Sequence, residues 1–179
     1  MIIKRCGSIA VLLMILFGHT IAAEKKLGGI WLDGSSMSQM TLPQNGDIPF
    51  LLDDFEYPQN EKTRVLHYDF NRDGIKDYFV ESWKSLCGTG GCLYALVDGK
   101  TKKRIGDFFG APILVLDQRI NGFPVIQSYG HLSADSGDFT TYVFDGAKYQ
   151  VVSSVYVEGK SLEELFKKLE QFRKIRLGK

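Results

Sequence analysis

The sequence predicts a mainly β protein of the α+β class: an antiparallel sheet of hairpins with one C-terminal amphipathic helix packed on it. Three observations support this prediction. Short runs that alternate apolar and polar residues recur through the middle of the chain, separated by turn residues. The dipeptides Asn121-Gly122 and Asp145-Gly146 each lie between two such runs, as in β-hairpins. The last segment spaces its apolar residues at the period of a helix.

Residues 1–23 have the pattern of a cleavable signal peptide. Lys4 and Arg5 form a basic start, an apolar run covers residues 9–17, and small residues end the segment. The run is shorter than the roughly 20 apolar residues that span a bilayer. We therefore expect residues 24–179 to form a single β-rich domain that is periplasmic or secreted. An uncleaved anchor is the alternative.

The charge of the chain argues against nucleic acid as a partner. The formal net charge is +1, and loss of Lys4 and Arg5 with the signal peptide leaves the rest slightly acidic. Basic residues form no stripe outside the last segment, so bulk charge gives no attraction to a polyanion. We expect another extracytoplasmic protein as the partner, with no membrane contact after signal cleavage.

Two cysteines remain after the signal peptide, because Cys6 lies within it. Cys87 and Cys92 are expected to form a disulfide in an oxidising compartment. The glycine-rich segment 88–91 between them allows a tight turn, since glycine tolerates positive φ. A redox role is the competing hypothesis, but redox pairs are typically Cys-x-x-Cys beside a βαβ pattern, and neither is present.

The strands follow from the alternating runs. In chain order they are Gly28–Leu32, Thr63–Tyr68, Lys76–Trp83, Cys92–Val97, Ile113–Arg119, Phe123–Tyr129, Phe139–Phe144 and Tyr149–Tyr156. Turn-forming residues from Ser35 to Asp47 predict a loop, and residues 50–52 fit either a strand or a helical turn.

A helix is predicted over residues 161–176. Ser161 and Glu164 match a capping box at its start. Basic residues crowd its second half, where cations suit the helix dipole. One face is apolar and carries Leu162, Leu165, Phe166, Leu169 and Phe172. We expect this face to pack on the sheet, which needs a cover for its apolar side; a membrane surface is the alternative.

The segment from Asp69 to Asp77 has the spacing of a calcium loop. Oxygen-bearing side chains occupy positions 1, 3, 5 and 9, glycine occupies position 6, and position 7 offers a backbone carbonyl. The predicted ligands are the side chains of Asp69, Asn71, Asp73 and Asp77 and the carbonyl of Ile75. The flanking segments are strands and position 12 is Val80, so the loop is not an EF-hand. The alternative is a turn in which these side chains bond to backbone N–H groups.

This loop resembles the Asp-x-Asn-x-Asp-Gly-x-x-Asp loops of FG-GAP and VCBS-type repeats in extracellular β-propellers. In that family the loop joins two strands and binds calcium. A propeller needs several copies and this chain has one, so the resemblance does not imply a propeller fold. The chain also resembles small exported bacterial proteins of unknown function, in which a similar loop precedes Cys-Gly-x-Gly-Gly-Cys, matched here by Cys87–Cys92. That resemblance implies no activity.

The remaining polar candidates are two histidines and one loop. No Gly-x-Ser-x-Gly, His-Glu-x-x-His or Walker motif accompanies His67 or His131. Residues 130–138 predict a candidate binding loop with His131, Ser133, Asp135, Ser136 and Asp138. A hairpin connection would use the same residues merely to turn.

Three functional hypotheses follow from these patterns. The first is an exported, non-enzymatic binding or accessory protein, such as an inhibitor or immunity-type partner of another secreted protein, with a calcium-stabilised loop. The second is a small hydrolase that uses His131 or His67 with nearby carboxylates. The third is a structural domain in which calcium only stiffens the loop.

Overall fold

The computed structural model of this chain describes residues 29–32, 38–41, 62–82 and 87–177. The predicted loop from Ser35 to Asp47 is wrong in part, because Ser38–Thr41 form a strand. The predicted signal peptide and most of the other predictions for residues 33–61 lie outside the described residues. So does Trp83, the last residue of one predicted strand. Export and signal cleavage therefore stay predictions.

The described residues form ten strands and one helix. The strands are β1 (Gly29–Leu32), β2 (Ser38–Thr41), β3 (Lys62–Tyr68), β4 (Asp77–Glu81), β5 (Cys92–Val97), β6 (Arg104–Gly110), β7 (Ile113–Ile120), β8 (Phe123–Ser133), β9 (Ser136–Phe144) and β10 (Tyr149–Glu158). The helix is α1 (Gly159–Leu177). The predicted fold class, mainly β with a C-terminal helix, is confirmed.

The strands form two five-stranded antiparallel sheets where the sequence predicted one. The loop-side sheet has the order β2-β3-β4-β5-β6, and the helix-side sheet has the order β1-β7-β8-β9-β10. The chain passes from one sheet to the other between β6 and β7, through a cis peptide bond at Ala111–Pro112. Alternating runs identify strands, but they do not show which hairpins share a sheet.

The two sheets pack face to face over an aromatic core. Phe79 and Phe108 from the loop-side sheet stack with ring centroids 5.6 Å apart. Ile113 and Ile126 from the helix-side sheet belong to the same buried cluster. Burial of these side chains supplies the main attraction between the sheets.

The helix forms a third layer on the other face of the helix-side sheet. Leu114 in β7 packs with the helix, whereas its neighbours Ile113 and Val115 pack between the sheets. A sheet covered on both faces accounts for the unbroken apolar run at the start of β7. Four of the five residues of the predicted apolar helix face are buried against this sheet, Leu162, Leu165, Leu169 and Phe172, whereas the fifth, Phe166, is exposed. Within the described residues, no helix is both long and apolar enough to cross a membrane.

The start of the helix differs from the prediction. The helix begins at Gly159, two residues before the predicted start at Ser161. The Ser161 hydroxyl accepts a hydrogen bond from the Glu158 N–H at 3.0 Å and donates one to the Glu158 carbonyl at 2.8 Å. Ser161 thus bonds back to the end of β10 and does not form the predicted capping box with Glu164.

Both predicted hairpins are present, with different turns. Asn121 and Gly122 have φ values of 51° and 86°, which is the two-residue turn with positive φ that this dipeptide favours. The turn after β9 is longer, and its Asp145 N–H donates to the Lys148 carbonyl at 3.0 Å. Hydrogen bonds from the N–H groups of Lys148 and Ala147 lower the pKa of Asp145 to about 2.

Candidate functional site

The Asp-rich loop joins β3 to β4, and its first three oxygen-bearing side chains bond within the loop. Asp69 accepts hydrogen bonds from the N–H groups of Asp73 at 3.1 Å and Gly74 at 2.9 Å. Asn71 Oδ1 accepts from the same Asp73 N–H at 3.0 Å, and Asp73 Oδ1 accepts from the Ile75 N–H at 2.8 Å. These contacts are the ones that the turn alternative requires, and they direct the three side chains toward the loop's own backbone.

Asp77, the fourth predicted side-chain ligand, lies in a different environment. It is 1% exposed, and its two oxygens accept from the N–H groups of Phe70 at 2.9 Å and Gly99 at 2.8 Å. Burial raises the pKa of Asp77, the two N–H donors partly oppose this, and the nearby charges of Asp98 and Asp73 raise it further. Asp77 therefore joins the Asp-rich loop to the β5–β6 turn.

A second contact attaches the loop to the helix-side sheet. The Phe70 side chain is fully buried in the core between the sheets. The Arg119 guanidinium donates to the Phe70 carbonyl and to the Gly122 carbonyl, the latter at 2.9 Å. Burial is the main cause that lowers the pKa of Arg119. The loop is thus attached to both sheets. Asp77 joins it to the β5–β6 turn of the loop-side sheet, and Arg119 joins it to the helix-side sheet.

The fit of this loop to calcium is partial. Calcium takes six to eight oxygen ligands at about 2.3–2.6 Å. Among the residues the structure describes, three ligand atoms of His, Cys, Asp or Glu lie within 4.8 Å of one another at Glu81, Cys87 and Cys92, and not in the Asp-rich loop. Carboxylate oxygens keep further acceptor capacity beside the hydrogen bonds they receive. Calcium binding by the loop stays a prediction.

The disulfide between Cys87 and Cys92 is present, as predicted. The turn it closes also has backbone hydrogen bonds of its own, Gly88 N–H to the Gly91 carbonyl at 2.9 Å and the reverse at 3.1 Å. The Gly90 carbonyl accepts from the N–H of His131 in the other sheet at 3.2 Å. The disulfide turn is therefore a contact between the sheets as well as a local closure.

Glycine is required in this turn for packing, which the sequence did not reveal. A Cβ on Gly91 would lie 2.3 Å from the carbonyl carbon of Gly110, and Gly91 has a φ of 121°. A Cβ on Gly110 would lie 2.3 Å from the carbonyl oxygen of Tyr129. We call Gly90, Gly91 and Gly110 the glycine corner. Its packing depends on Gly110 and Tyr129, which are distant in sequence from the cysteines.

Glu81 is a buried carboxylate that sequence analysis missed. It is 6% exposed in β4, where Arg64 Nη1 donates to one oxygen at 3.3 Å and the Tyr94 hydroxyl donates to the other at 3.3 Å. Its carboxylate belongs to the group of three ligand atoms with the sulfurs of Cys87 and Cys92. The available signal was a glutamate two residues after Phe79, on the inward-facing side of a strand.

The two histidines lie in different sheets. His67 is exposed in β3, edge-on to the Tyr78 ring at 4.6 Å between centroids. Partial burial lowers the pKa of His67, and the charges of Lys76 and Lys102 lower it further. His131 lies in β8 with its ring centroid 6.3 Å from that of Tyr129.

The predicted polar loop over residues 130–138 is a tight hairpin end. The strand β8 continues to Ser133 and β9 begins at Ser136. The Ser133 hydroxyl donates to Asp135 at 2.8 Å and lies 2.6 Å from the Ser136 hydroxyl. Asp138 pairs with Gly130 in the ladder between the strands. In the described part of the chain, these contacts serve the turn and do not pair His131 with a carboxylate.

The strand β10 has an exposed apolar surface. It is ten residues long and lies at the edge of the helix-side sheet. We call its four exposed large side chains the edge surface: Val151, Val152, Val155 and Tyr156, each 52–58% exposed. The other described sheet edges are shorter or differently protected. The strands β1 and β2 have four residues each, and β6 carries an ion pair between Arg104 and Asp107; the helix contacts both β1 and β10.

Comparisons of this chain with protein-family models, with curated proteins and with solved structures find no match. The class of protein is therefore described by its architecture. It is a two-sheet β protein with a helix on one sheet, a disulfide turn at the contact between the sheets and, among the described strands, a long edge strand with exposed apolar side chains.

Proposed function

We propose that this chain is an exported, non-enzymatic binding or accessory protein that takes up an extended segment of another secreted protein along β10. One observation carries the proposal: the edge surface lies on a long strand that pairs on one side with β9, among the described strands. An inhibitor or immunity-type role fits this arrangement. In such a role the partner's segment is held in one extended conformation.

The exposed strand lacks the charged residues and prolines that protect many sheet edges, although its register with β9 shifts between Val151 and Ser153. Natural proteins place lysine, proline or inward-facing charges on edge strands, because the unpaired backbone groups otherwise recruit other strands. From Tyr149 to Val157 the strand has no charged residue and no proline. In strand addition, backbone hydrogen bonds supply affinity and alternate side chains supply specificity. An extended apolar segment suits the edge surface.

Export is supported by the sequence pattern of residues 1–23 and by the disulfide. Disulfides persist in oxidising compartments such as the periplasm and the cell exterior. The near-neutral charge of the chain fits a protein partner better than nucleic acid. In this proposal calcium stabilises the loop through Asp69, Asn71, Asp73 and Asp77 and the Ile75 carbonyl, and takes no part in chemistry.

Capture from envelope extract tests the proposal. The oxidised protein is immobilised and compared with Val155→Lys, which places a charge in the edge surface, and with Leu132→Lys. Leu132 is a matched control because it is 59% exposed and lies in β8. A partner captured by the native protein and by the control should bind Val155→Lys at least about tenfold more weakly, since burying an unpaired ammonium costs well above 1.4 kcal/mol.

Three outcomes would contradict the proposal. Equal capture by Val155→Lys would place the binding surface elsewhere. A concentration-dependent dimer that Val155→Lys abolishes, with no other protein captured, would make a second copy of the chain the occupant of β10. Loss of the biological effect in a folded His131→Ala variant would favour the hydrolase hypothesis.

A further inference from the structure

The group formed by Glu81, Cys87 and Cys92 has the composition of a metal site. One carboxylate oxygen and the two sulfurs all lie within 4.8 Å of one another. A tetrahedral zinc ion holds sulfur at about 2.3 Å and carboxylate oxygen at about 2.0–2.2 Å, so its ligand atoms are about 3.5–3.8 Å apart. We propose that these three residues form a redox-gated site that binds a zinc-like divalent cation when the disulfide is reduced.

Metal binding and the disulfide exclude each other, because the thiolate is the ligand form of cysteine. A dithiol reductant would pass two electrons and two protons to the disulfide. The sulfur–sulfur bond breaks, both cysteines become thiols, and the reductant is itself oxidised to a disulfide. The cation then displaces the two thiol protons into solvent and binds both sulfurs as thiolates.

The two sulfurs are held near each other by more than their own bond. Two backbone hydrogen bonds between Gly88 and Gly91 close the turn at 2.9 and 3.1 Å. The glycine corner packs the turn against Gly110 in β6. These contacts do not involve sulfur, so they remain when the disulfide opens. The site is therefore preorganised in the reduced protein.

The carboxylate is held in place by the strand ladder. Glu81 is paired with Tyr94 in the β4–β5 ladder, and the adjacent Ser82 N–H donates to the Leu93 carbonyl at 2.7 Å. Cys92 begins β5, two residues before Tyr94, so its side chain lies on the same face of the sheet as that of Tyr94. The ladder thus directs Glu81 and Cys92 to one place.

The charges around the site suit a divalent cation. Two thiolates and one carboxylate exceed the charge of the ion by one, and Arg64 at 3.3 Å from Glu81 offsets the excess. The Tyr94 hydroxyl and Arg64 also orient the carboxylate, as the hydrogen-bonded neighbours of metal ligands do. Cys87 is half-buried, so water can occupy a fourth position. Thiolate ligands favour zinc over calcium, which separates this site from the Asp-rich loop.

Cobalt(II) binding to the full protein tests the site without any substitution. The oxidised and reduced forms of one preparation are titrated anaerobically with cobalt(II), and thiolate-to-cobalt charge-transfer absorption is followed. The reduced form should bind one ion per chain, and zinc should displace it. The oxidised form should show no such absorption. Bound zinc should also protect both thiols from alkylation. Absence of binding or of protection in the reduced form would overturn the proposal.

A matched pair of variants tests the carboxylate. Glu81→Gln should weaken cobalt binding by at least about tenfold, while Glu163→Gln, an exposed position in the helix, should bind like the native protein. Thermal melts confirm that each variant is folded. A folded Glu81→Gln variant that binds as tightly as Glu163→Gln would overturn the role of Glu81. Loss of the thiolate–cobalt absorption in the double variant Asp69→Asn, Asp73→Asn would overturn the assignment, because the ion would then depend on the Asp-rich loop.

Discussion

Gly99 donates its backbone N–H to the buried carboxylate of Asp77 at 2.8 Å, across 22 residues of sequence. A Cβ on Gly99 would lie 2.0 Å from the Lys76 carbonyl oxygen, so glycine is needed for this approach. The other Asp77 oxygen accepts from Phe70, whose side chain is in the core. One carboxylate therefore connects the Asp-rich loop, the β5–β6 turn and the core.

Asp77→Ala should lower the free energy of unfolding by about 2–5 kcal/mol, because it leaves two buried N–H groups without a partner. Asp73→Ala should lower it by less than about 1 kcal/mol, since its hydrogen bond to Ile75 is exposed. Urea unfolding in excess chelator measures both values without any contribution from calcium. Equal losses in the two variants would mean that Asp77 has no special structural role.

Asp145 should make the protein less stable in acid. Its pKa is about 2 in the folded protein, below the ordinary value of about 3.9 in an unfolded chain. The stability from its hydrogen bonds is fully present above pH 3.9 and is lost as the pH falls toward 2. Asp145→Asn cannot titrate and still offers an oxygen to the turn, so the acid-induced loss should be smaller in this variant.

Urea unfolding at a series of pH values between about 5 and 2 measures this difference. Asp135→Asn, an exposed carboxylate in another turn, is the control and should follow the native pH dependence. If Asp145→Asn and the native protein lose stability in parallel, the hydrogen bonds of Asp145 do not favour its ionised form.

Gly91→Ala should lower the free energy of unfolding by at least about 2 kcal/mol, because alanine is strained at a φ of 121° and its Cβ would overlap Gly110. Gly88→Ala is the matched control in the same turn. A Cβ there meets nothing within 4 Å, so the change should stay within about 0.5 kcal/mol. Equal values from urea unfolding would show that the glycine corner is not close-packed.

Local sequence signals predicted most elements of the fold. Asn121-Gly122 specifies its hairpin because both residues adopt positive φ, a property of the dipeptide itself. The division of the strands into two sheets was not predictable, because it depends on side-chain packing between Phe108 and residues far along the chain. For the same reason, the sequence predicted which side of the helix is buried but not which of the two sheets it packs on.

The candidate sites show the same limit. The disulfide between Cys87 and Cys92 followed from the cysteine count and the predicted compartment alone. Glu81 was not predicted as a site residue, because its role depends on its cross-strand neighbour Tyr94 and on the nearby disulfide turn. The position of Glu81 two residues after Phe79 indicates an inward-facing side chain, but not the neighbours that surround it.

Calcium should stabilise the Asp-rich loop if the predicted ligands bind it. At a calcium concentration 100 times the dissociation constant, binding adds about 2.7 kcal/mol, which raises the melting temperature by roughly 5–10 °C. Asp69→Asn should remove most of this rise, and Asp135→Asn should keep it. An unchanged melting temperature between millimolar calcium and excess chelator would exclude a stabilising calcium ion.

The helix packing gives the last prediction and tests the membrane alternative. Leu169 is 5% exposed against the helix-side sheet, whereas Phe166 is 44% exposed at the edge of the same contact. Leu169→Ala should therefore lower the free energy of unfolding by about 2–5 kcal/mol, and Phe166→Ala by clearly less. Flotation with anionic vesicles provides the complementary measurement, and the native protein should remain in the aqueous fraction. If Phe166→Ala and Leu169→Ala weaken vesicle binding equally, the apolar face of the helix leaves the sheet for the lipid surface. Leu169 can contact lipid only when the helix is detached from the sheet, because it is buried in the folded protein.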